Sequence, residues 1–186
     1  MRYHGIETDS MLNGSGLRVC LWCSGCEHHC DSCQNPQTWN ENSGKEFDIE
    51  AEEELFQELE KDYISGITFT GGDPLHPNNL ETVKHLCFKF HEKFPDKTIW
   101  IYSGYLWEDI WEEDEKDRLH KDQNMLNRRA ILATAEVFVD GKFEKDKEDV
   151  AYHWAGSTNQ RIIDCQKSIW QNKIVLWEDQ VRNKWR

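Results

Sequence analysis

The chain has 186 residues and a mass of 22.1 kDa, which suits one domain and is too short for a complete eight-stranded α/β barrel of about 250 residues. Its 22 basic and 35 acidic residues give a formal net charge of −13, which argues against nucleic acid as a partner because phosphate contacts need a basic surface. The longest apolar run, 19–23, is far shorter than the roughly 18 residues of a membrane span, so we expect no membrane partner.

Hydrophobic periodicity predicts strands that alternate with helices along the chain. The predicted strands cover 16–22, 66–70, 98–102 and 136–140, with further β-rich stretches at 161–164 and 173–177. The predicted helices cover 48–63, a segment that begins near Asn79, and 124–135, and the acidic residues 107–122 indicate a surface helix or an insertion. This alternation is typical of an α/β protein with a mostly parallel sheet.

Chemically suggestive residues follow each of the four predicted strands. A cysteine-rich loop follows the first strand, Gly71-Gly72-Asp73 the second, Ser103-Gly104 the third and Asp140-Gly141 the fourth. Ligands of parallel α/β proteins bind outside the carboxyl ends of the strands. The sequence therefore predicts one site at that edge of the sheet.

Five of the seven cysteines fall within 14 residues: Cys20, Cys23, Cys26, Cys30 and Cys33. The first ten residues contain no secretion signal, so we expect a cytoplasmic protein, in which disulfides are rare. Cys20 and Cys23 with Cys30 and Cys33 could form a zinc site, although the two pairs lie closer together than in common zinc motifs. Cys26, Cys30 and Cys33 could instead hold three irons of a cubane cluster and leave the fourth iron open. The spacing favours the iron–sulfur cluster over zinc and over buried structural thiols.

The string Cys26-x3-Cys30-x2-Cys33 resembles the cluster loop of the radical S-adenosylmethionine superfamily. A longer string at 21–39 resembles one branch of it, the activating proteins of anaerobic (class III) ribonucleotide reductase. Further matching strings follow in the same order at 71–77, 100–105, 139–143 and 156–161. The resemblance covers roughly 4–165 and weakens over an acidic stretch at about 106–130.

The resemblance implies a fold as well as a function. It implies a single radical S-adenosylmethionine domain over 1–186, built as an incomplete TIM-like barrel with a mostly parallel sheet. The acidic stretch at about 106–130 is then an insertion, and about 166–186 is a C-terminal extension.

In that family, a 4Fe-4S cluster cleaves S-adenosylmethionine to methionine and a 5′-deoxyadenosyl radical, which abstracts a hydrogen from a glycine of the partner protein. The resemblance therefore implies an oxidoreductase whose substrate is anaerobic ribonucleoside-triphosphate reductase and whose electron donor is a protein such as flavodoxin. An activase of another glycyl radical enzyme, such as pyruvate formate-lyase, is the nearest alternative. A zinc-binding interaction module is the alternative of another class.

The resemblance also implies roles for individual residues. Cys26, Cys30 and Cys33 match the cluster ligands. The residues expected beside S-adenosylmethionine are Ser32, Cys33, Gln34, Gly71, Gly72 and Asp73. Possible contacts with the partner are Asn159, Gln160 and Arg161. Two departures from the superfamily are a serine at 32, where many members have an aromatic residue, and Gly-Gly-Asp in place of Gly-Gly-Glu.

Two further residues have competing interpretations. His28 matches a family position and is expected to orient the loop or to shape the surroundings of the cluster, because the cysteines already fill the protein-held positions. Asp140 is a candidate for binding ribose hydroxyls and equally for forming an ordinary Asp-Gly turn.

Overall fold

The computed structural model describes residues 1–111 and 122–178 of the chain. Its strands are β1 (Arg2–Ser10), β2 (Leu17–Cys23), β3 (Lys45–Glu46), β4 (Ile64–Gly71), β5 (Thr98–Tyr102), β6 (Val137–Asp140) and β7 (Arg161–Asp164). Its α-helices are α1 (Ile49–Leu59), α2 (Leu80–Lys93), α3 (Trp107–Trp111), α4 (Gln123–Thr134) and α5 (Cys165–Gln171). The four predicted strands and three predicted helices are confirmed, with small differences at their ends. The remainder of the predicted acidic helix lies outside the described residues.

The seven strands form one mixed sheet in the order β3-β1-β2-β4-β5-β6-β7. The pairs β2–β4, β4–β5 and β5–β6 are parallel, whereas β1–β2, β1–β3 and β6–β7 are antiparallel. The α/β class is confirmed, but the prediction of a mostly parallel sheet is wrong, since half of the strand pairs in the described residues are antiparallel. No α-helix lies between β1 and β2, between β2 and β3 or between β6 and β7, whereas each parallel pair is joined by a crossover that contains an α-helix. The sheet is not closed, and β3 and β7 are its edges.

The first strand, β1, is absent from the sequence prediction. Its residues are mostly polar or partly exposed, and only Tyr3 and Ser10 are buried. β1 pairs with β2 on one side and with only two residues of β3 on the other. Because it is partly exposed, its sequence lacks the hydrophobic alternation that would predict a strand. The β-rich stretch 173–177 contributes one isolated bridge, between Leu176 and Ile163, at the edge of β7.

All five α-helices contribute buried side chains to one hydrophobic core against one face of the sheet. The predicted N-cap of α1 is confirmed, because the Asp48 side chain accepts a hydrogen bond from the backbone N–H of Ala51. The opposite face carries a second, smaller cluster of Trp100, Val137, Val139 and Ile162. The carboxyl ends of β2, β4, β5 and β6 meet at one edge of the sheet, as predicted.

Arg18 is fully buried on the same face of the sheet as Trp100, near the amino end of β2. Its guanidinium donates to the hydroxyls of Thr68 and Thr98 and to three backbone carbonyls. These bonds satisfy a cation for which burial lowers the pKa to about 10. Arg18 therefore links β2, β4 and β5 by hydrogen bonds. It lies near the amino end of β2, whereas the cysteine loop follows the carboxyl end of that strand.

Candidate metal centre

Three cysteines reach the surface and four do not. Cys26, Cys30 and Cys33, on the loop that follows β2, are half-buried, whereas the other four are buried: Cys20, Cys23, Cys87 and Cys165. All seven are free thiols. The solvent-accessible set is therefore the triplet that the spacing selected for an iron–sulfur cluster.

The alternative zinc set does not assemble. Cys20 and Cys23 lie three residues apart on β2, and side chains alternate between the two faces of a strand. Cys23 packs in the core on the helix side, so Cys20 points to the opposite face. Burial raises the pKa of the Cys20 thiol to about 11 and that of Cys23 still further. Both are packing residues, and they do not join Cys30 and Cys33 around one ion.

The loop presents the three sulfurs to backbone donors. Cys33 closes a turn by donating its N–H to the carbonyl of Cys30 (3.1 Å), with Ser32 in the left-handed region at φ 58°. The Cys33 sulfur accepts the N–H of Asn35 at 3.3 Å. Burial raises the pKa of the Cys30 thiol, and the backbone N–H of Phe143, which follows β6, opposes that rise. Backbone N–H groups directed at cysteine sulfur are the surroundings that a thiolate ligand needs.

The protonation state of Cys26 depends on a metal. Burial raises the pKa of this thiol to about 11, although the backbone N–H groups of His28 and His29 oppose that shift. Without a metal the thiol is therefore protonated at neutral pH, and metal binding must displace the proton. Within the described residues, 1–111 and 122–178, no three His, Cys, Asp or Glu side chains lie close enough together to hold a single metal ion. Three cysteines on one loop suit a multi-iron cluster, in which each iron takes one thiolate.

Gly71 and Gly72 lie against the start of the cysteine loop. The N–H of Gly72 donates to the carbonyl of Cys23 (2.8 Å), and the N–H of Asp73 donates to the carbonyl of Gly25 (2.7 Å). Gly71 has φ +98°, a conformation that favours glycine. A Cβ at Gly72 would lie 2.6 Å from the Gly25 oxygen. The two glycines are therefore required where the end of β4 approaches the loop backbone.

Asp73 connects the loop to two strands. It is almost fully buried, and its Oδ1 accepts the N–H of Leu75 at 2.7 Å. Its Oδ2 accepts from the His28 ring at 2.5 Å, the Ser103 hydroxyl at 2.9 Å and the N–H of Gly104 at 3.3 Å. Four donors thus compensate the burial of one carboxylate. The Asp73 side chain joins three of the four segments that the sequence placed at this edge.

A second connection reaches the loop from α4. The guanidinium of the buried Arg128 donates to the Tyr105 hydroxyl (2.8 Å) and to the carbonyl of Leu75. The Tyr105 hydroxyl in turn donates to Glu27 in the loop. The Tyr105 ring contacts the His28 ring edge-on, with centroids 4.7 Å apart. Tyr105 lies in the matching string 100–105 but has no predicted role, and Arg128 is absent from the prediction, because neither residue type indicates a metal site and only the fold brings them to this loop.

The remaining residues predicted to lie beside the cofactor are on the loop itself. Ser32 and Gln34 are exposed on either side of the half-buried Cys33. The segment 71–73 contacts the start of the loop at Cys23 and Gly25, whereas Ser32 and Gln34 lie further along it, next to Cys33.

The three residues predicted to contact the partner make hydrogen bonds within the chain. Asn159 donates to the carbonyl of Lys142 and Gln160 donates to the carbonyl of Gly141. Arg161 donates to the carboxylates of Asp140 and Glu108. These bonds fix the segment after β6, which supplies the Phe143 N–H to the cysteine loop.

Asp140, the candidate for ribose hydroxyls, is fully buried. Its carboxylate accepts from Arg161 and from the backbone N–H of Trp107 at the start of α3. This supports the interpretation of Asp140 as a structural residue, since its side chain is used within the protein.

Comparison with known proteins agrees with this site. The family described as 4Fe-4S single cluster domain matches residues 12–163. The chain is 36% identical over 172 residues to the anaerobic ribonucleoside-triphosphate reductase-activating protein of Enterobacteria phage T4, which covers 92% of this chain and 99% of that protein. It is 38% identical over 164 residues to the protein of the same name from Salmonella typhimurium strain LT2, covering 87% and 97%. The match to that of Escherichia coli strain K12 is 35% over 164 residues, covering 87% and 97%.

The fold, the cysteine triplet and the 4Fe-4S family define an iron–sulfur enzyme of the α/β class. No helix in the part of the chain that the structure describes is long and apolar enough to cross a membrane. Within that class, the chain belongs to the family of anaerobic ribonucleoside-triphosphate reductase-activating proteins.

Proposed function

We propose that this chain activates an anaerobic ribonucleoside-triphosphate reductase by generating a glycyl radical on it. The observation that carries the proposal is that the seven cysteines differ in their exposure to solvent. The triplet Cys26, Cys30 and Cys33 is accessible at the carboxyl edge of parallel strands, and the other four are buried. The names of the relatives supply the target, because those proteins are called activating proteins of that reductase.

We assign Cys26, Cys30 and Cys33 as the ligands of the 4Fe-4S cluster. When bound, the cluster supplies the electron that cleaves S-adenosylmethionine to methionine and a 5′-deoxyadenosyl radical. Three cysteines leave one iron of a cubane without a protein ligand, which is the vacant position that a substrate-binding metal requires. The chain itself positions the sulfurs through backbone N–H groups and through the bonds of Asp73 and Tyr105 to the loop.

The residues proposed to lie beside S-adenosylmethionine are Ser32, Cys33, Gln34, Gly71, Gly72 and Asp73. The support is that 32–34 includes one of the three cysteines, and that 71–73 is hydrogen-bonded to the start of the cysteine loop. Glycines allow a ligand to approach the backbone, whose carbonyls can accept from an ammonium group. The serine at 32 leaves only backbone atoms for an adenine contact at that position.

The domain organisation and the partners are also proposals. One radical S-adenosylmethionine domain over 1–186, with the form of a partial TIM-like barrel, agrees with the single core to which β1 and α5 both contribute. An open sheet leaves a side through which a glycine loop of the reductase can enter. We propose an electron donor such as flavodoxin and a cytoplasmic location, as expected of a chain with reduced cysteines. Contact of Asn159, Gln160 and Arg161 with the reductase stays a prediction.

The test is anaerobic reconstitution with iron and sulfide, followed by two measurements in one reaction. Chromatography measures 5′-deoxyadenosine, and electron paramagnetic resonance counts glycyl radicals on the cognate reductase. We expect both products from the native chain, neither from Cys30→Ala, and both from the matched control Cys87→Ala. A colourless, air-stable protein that binds zinc would refute the proposal. Cleavage without any glycyl radical on the reductase would refute the assignment of the target.

A further inference from the structure

The segment between the first two cysteines of the loop depends on side chains for its conformation. Among the described residues, Glu27, His28 and His29 make no backbone–backbone hydrogen bond. The loop has such bonds only on either side, at Cys26, which donates to the carbonyl of Trp39, and at Cys30, which accepts from Cys33. Such a segment has no ladder to hold it, so its side-chain contacts must fix the backbone.

His28 makes the best-defined of these contacts. Its ring nitrogen bonds Asp73 Oδ2, and its ring meets Tyr105 edge-on. The ring also lies so close to Gly104 that a Cβ there would be 2.4 Å from His28 Cδ2. Three structural neighbours thus enclose the His28 ring in one orientation. Asp73 is itself held by Ser103 and by two backbone N–H groups, so it is a fixed acceptor.

The position of His28 affects which backbone N–H groups face the Cys26 sulfur. The backbone N–H groups of His28 and His29 face that sulfur closely enough to oppose the rise that burial causes in its pKa. These donors belong to the segment without backbone bonds of its own, so their aim depends on the position of the His28 side chain. N–H donors stabilise the more negative, reduced state of an iron–sulfur cluster and thereby raise its reduction potential.

We propose that Asp73 is a positioning residue that acts through His28. It holds the backbone N–H groups of His28 and His29 on the Cys26 sulfur and so keeps the reduction potential of the cluster higher than the loop alone would set it. In this proposal the Asp73 carboxylate positions the loop that carries the ligands. This role is separate from the proposed contact of the 71–73 backbone with S-adenosylmethionine. The inference rests on the proposed ligand set and adds to it the residue that tunes the cluster.

The first test compares substitutions of His28 by redox titration of the reconstituted protein without S-adenosylmethionine, followed by electron paramagnetic resonance. His28→Leu removes the donor to Asp73, whereas the amide of His28→Gln can replace it. We expect a lower midpoint potential for His28→Leu and a value close to that of the native protein for His28→Gln. His29→Leu is the matched control, because it removes the neighbouring ring, keeps the backbone N–H and leaves Asp73 untouched.

A second variant displaces His28 without changing any bonding group. Gly104 is outside the left-handed region, so alanine is compatible with its backbone, but the new methyl group must push the His28 ring away. We expect Gly104→Ala to lower the potential in the same direction as His28→Leu. If His28→Leu holds no cluster, Gly104→Ala and His28→Gln decide the question. Thermal unfolding of each cluster-free variant shows whether the fold itself is intact.

Two results would overturn the proposal. One is an unchanged potential in both His28→Leu and Gly104→Ala. The other is an equal fall in His29→Leu, which would show that either ring tunes the cluster without Asp73. Failure of the proposed function is distinguishable, because the potential is measured without reductase and without S-adenosylmethionine. A native protein that forms a cluster but activates no reductase would leave this test fully decisive.

Discussion

Replacement of Arg161 by alanine should destabilise the protein by about 3 kcal/mol. The guanidinium donates through Nε and Nη2 to Asp140 and through Nη1 and Nη2 to Glu108. Asp140 is fully buried, and without the guanidinium its donors among the described residues are the backbone N–H groups of Trp107 and of residue 161. Breaking a buried ion pair costs about 3–5 kcal/mol, and the two remaining donors place this case at the lower end. For a chain of this length the midpoint of thermal unfolding should fall by about 6–12 °C.

Circular dichroism of the cluster-free protein measures this effect. Glu108→Gln is the matched control, because it alters the more exposed partner and should cost less than about 1 kcal/mol. The double substitution of Arg161 by Ala and Asp140 by Asn should recover part of the loss, since it removes the unpaired charge. An unfolding midpoint of Arg161→Ala equal to that of the native protein, together with a selective loss of glycyl radical, would refute this reasoning. Arg161 would then be the partner contact that the sequence indicated.

Thiol labelling of the cluster-free protein, followed by mass spectrometry, should modify Cys26, Cys30 and Cys33 and spare the buried cysteines until the chain unfolds; comparable labelling of a buried thiol would contradict the packing. The hydrogen-bonded guanidinium lowers the pKa of Glu108 below its ordinary 4.5, so the stabilisation is complete above pH 4.5 and is lost as the pH falls through the lowered pKa. The difference in unfolding midpoint between the native protein and Glu108→Gln should therefore vanish at low pH, and a constant difference would argue against the ion pair. Gly72→Val should cost about 1–3 kcal/mol and reduce the iron retained, because its side chain meets backbone oxygens of the cysteine loop. Normal iron content with weaker S-adenosylmethionine binding would show that the loop tolerates the change.

The elements with regular hydrophobic patterns could be predicted from the sequence. Helix α1 was predictable because its buried residues recur with helical spacing and because Asp48 supplies a cap at its start. The strands β2, β4, β5 and β6 were predictable because they are mostly buried and their sequences are short runs rich in β-branched, aromatic and other apolar residues. Their parallel direction and their common carboxyl edge followed from the alternation with helices, whereas their order in the sheet comes from the structure.

The edges of the sheet were not predictable in the same way. β1 is a polar strand with one neighbour of only two residues, so burial leaves little trace in its composition. The direction of β7 depends on a connection of 20 residues that contains no α-helix, and the β-rich pattern of β7 is the same for either direction. The prediction of a mostly parallel sheet therefore failed at both sides of a correctly predicted parallel centre.

The sequence by itself indicated the cysteine triplet that we propose as the ligand set, because the spacing of residues on one short loop can be read along the chain. It also determined the glycines and Asp73 as residues of the same edge. Only the tertiary structure decided that the Asp73 carboxylate meets His28, 45 residues away, and Ser103, 30 residues away. Likewise, only the tertiary structure shows that Arg161 forms ion pairs with Asp140 and Glu108. Hydrogen bonds between distant segments leave no periodic pattern in a sequence, since any buried carboxylate requires donors and only the packed chain determines which donors are within reach.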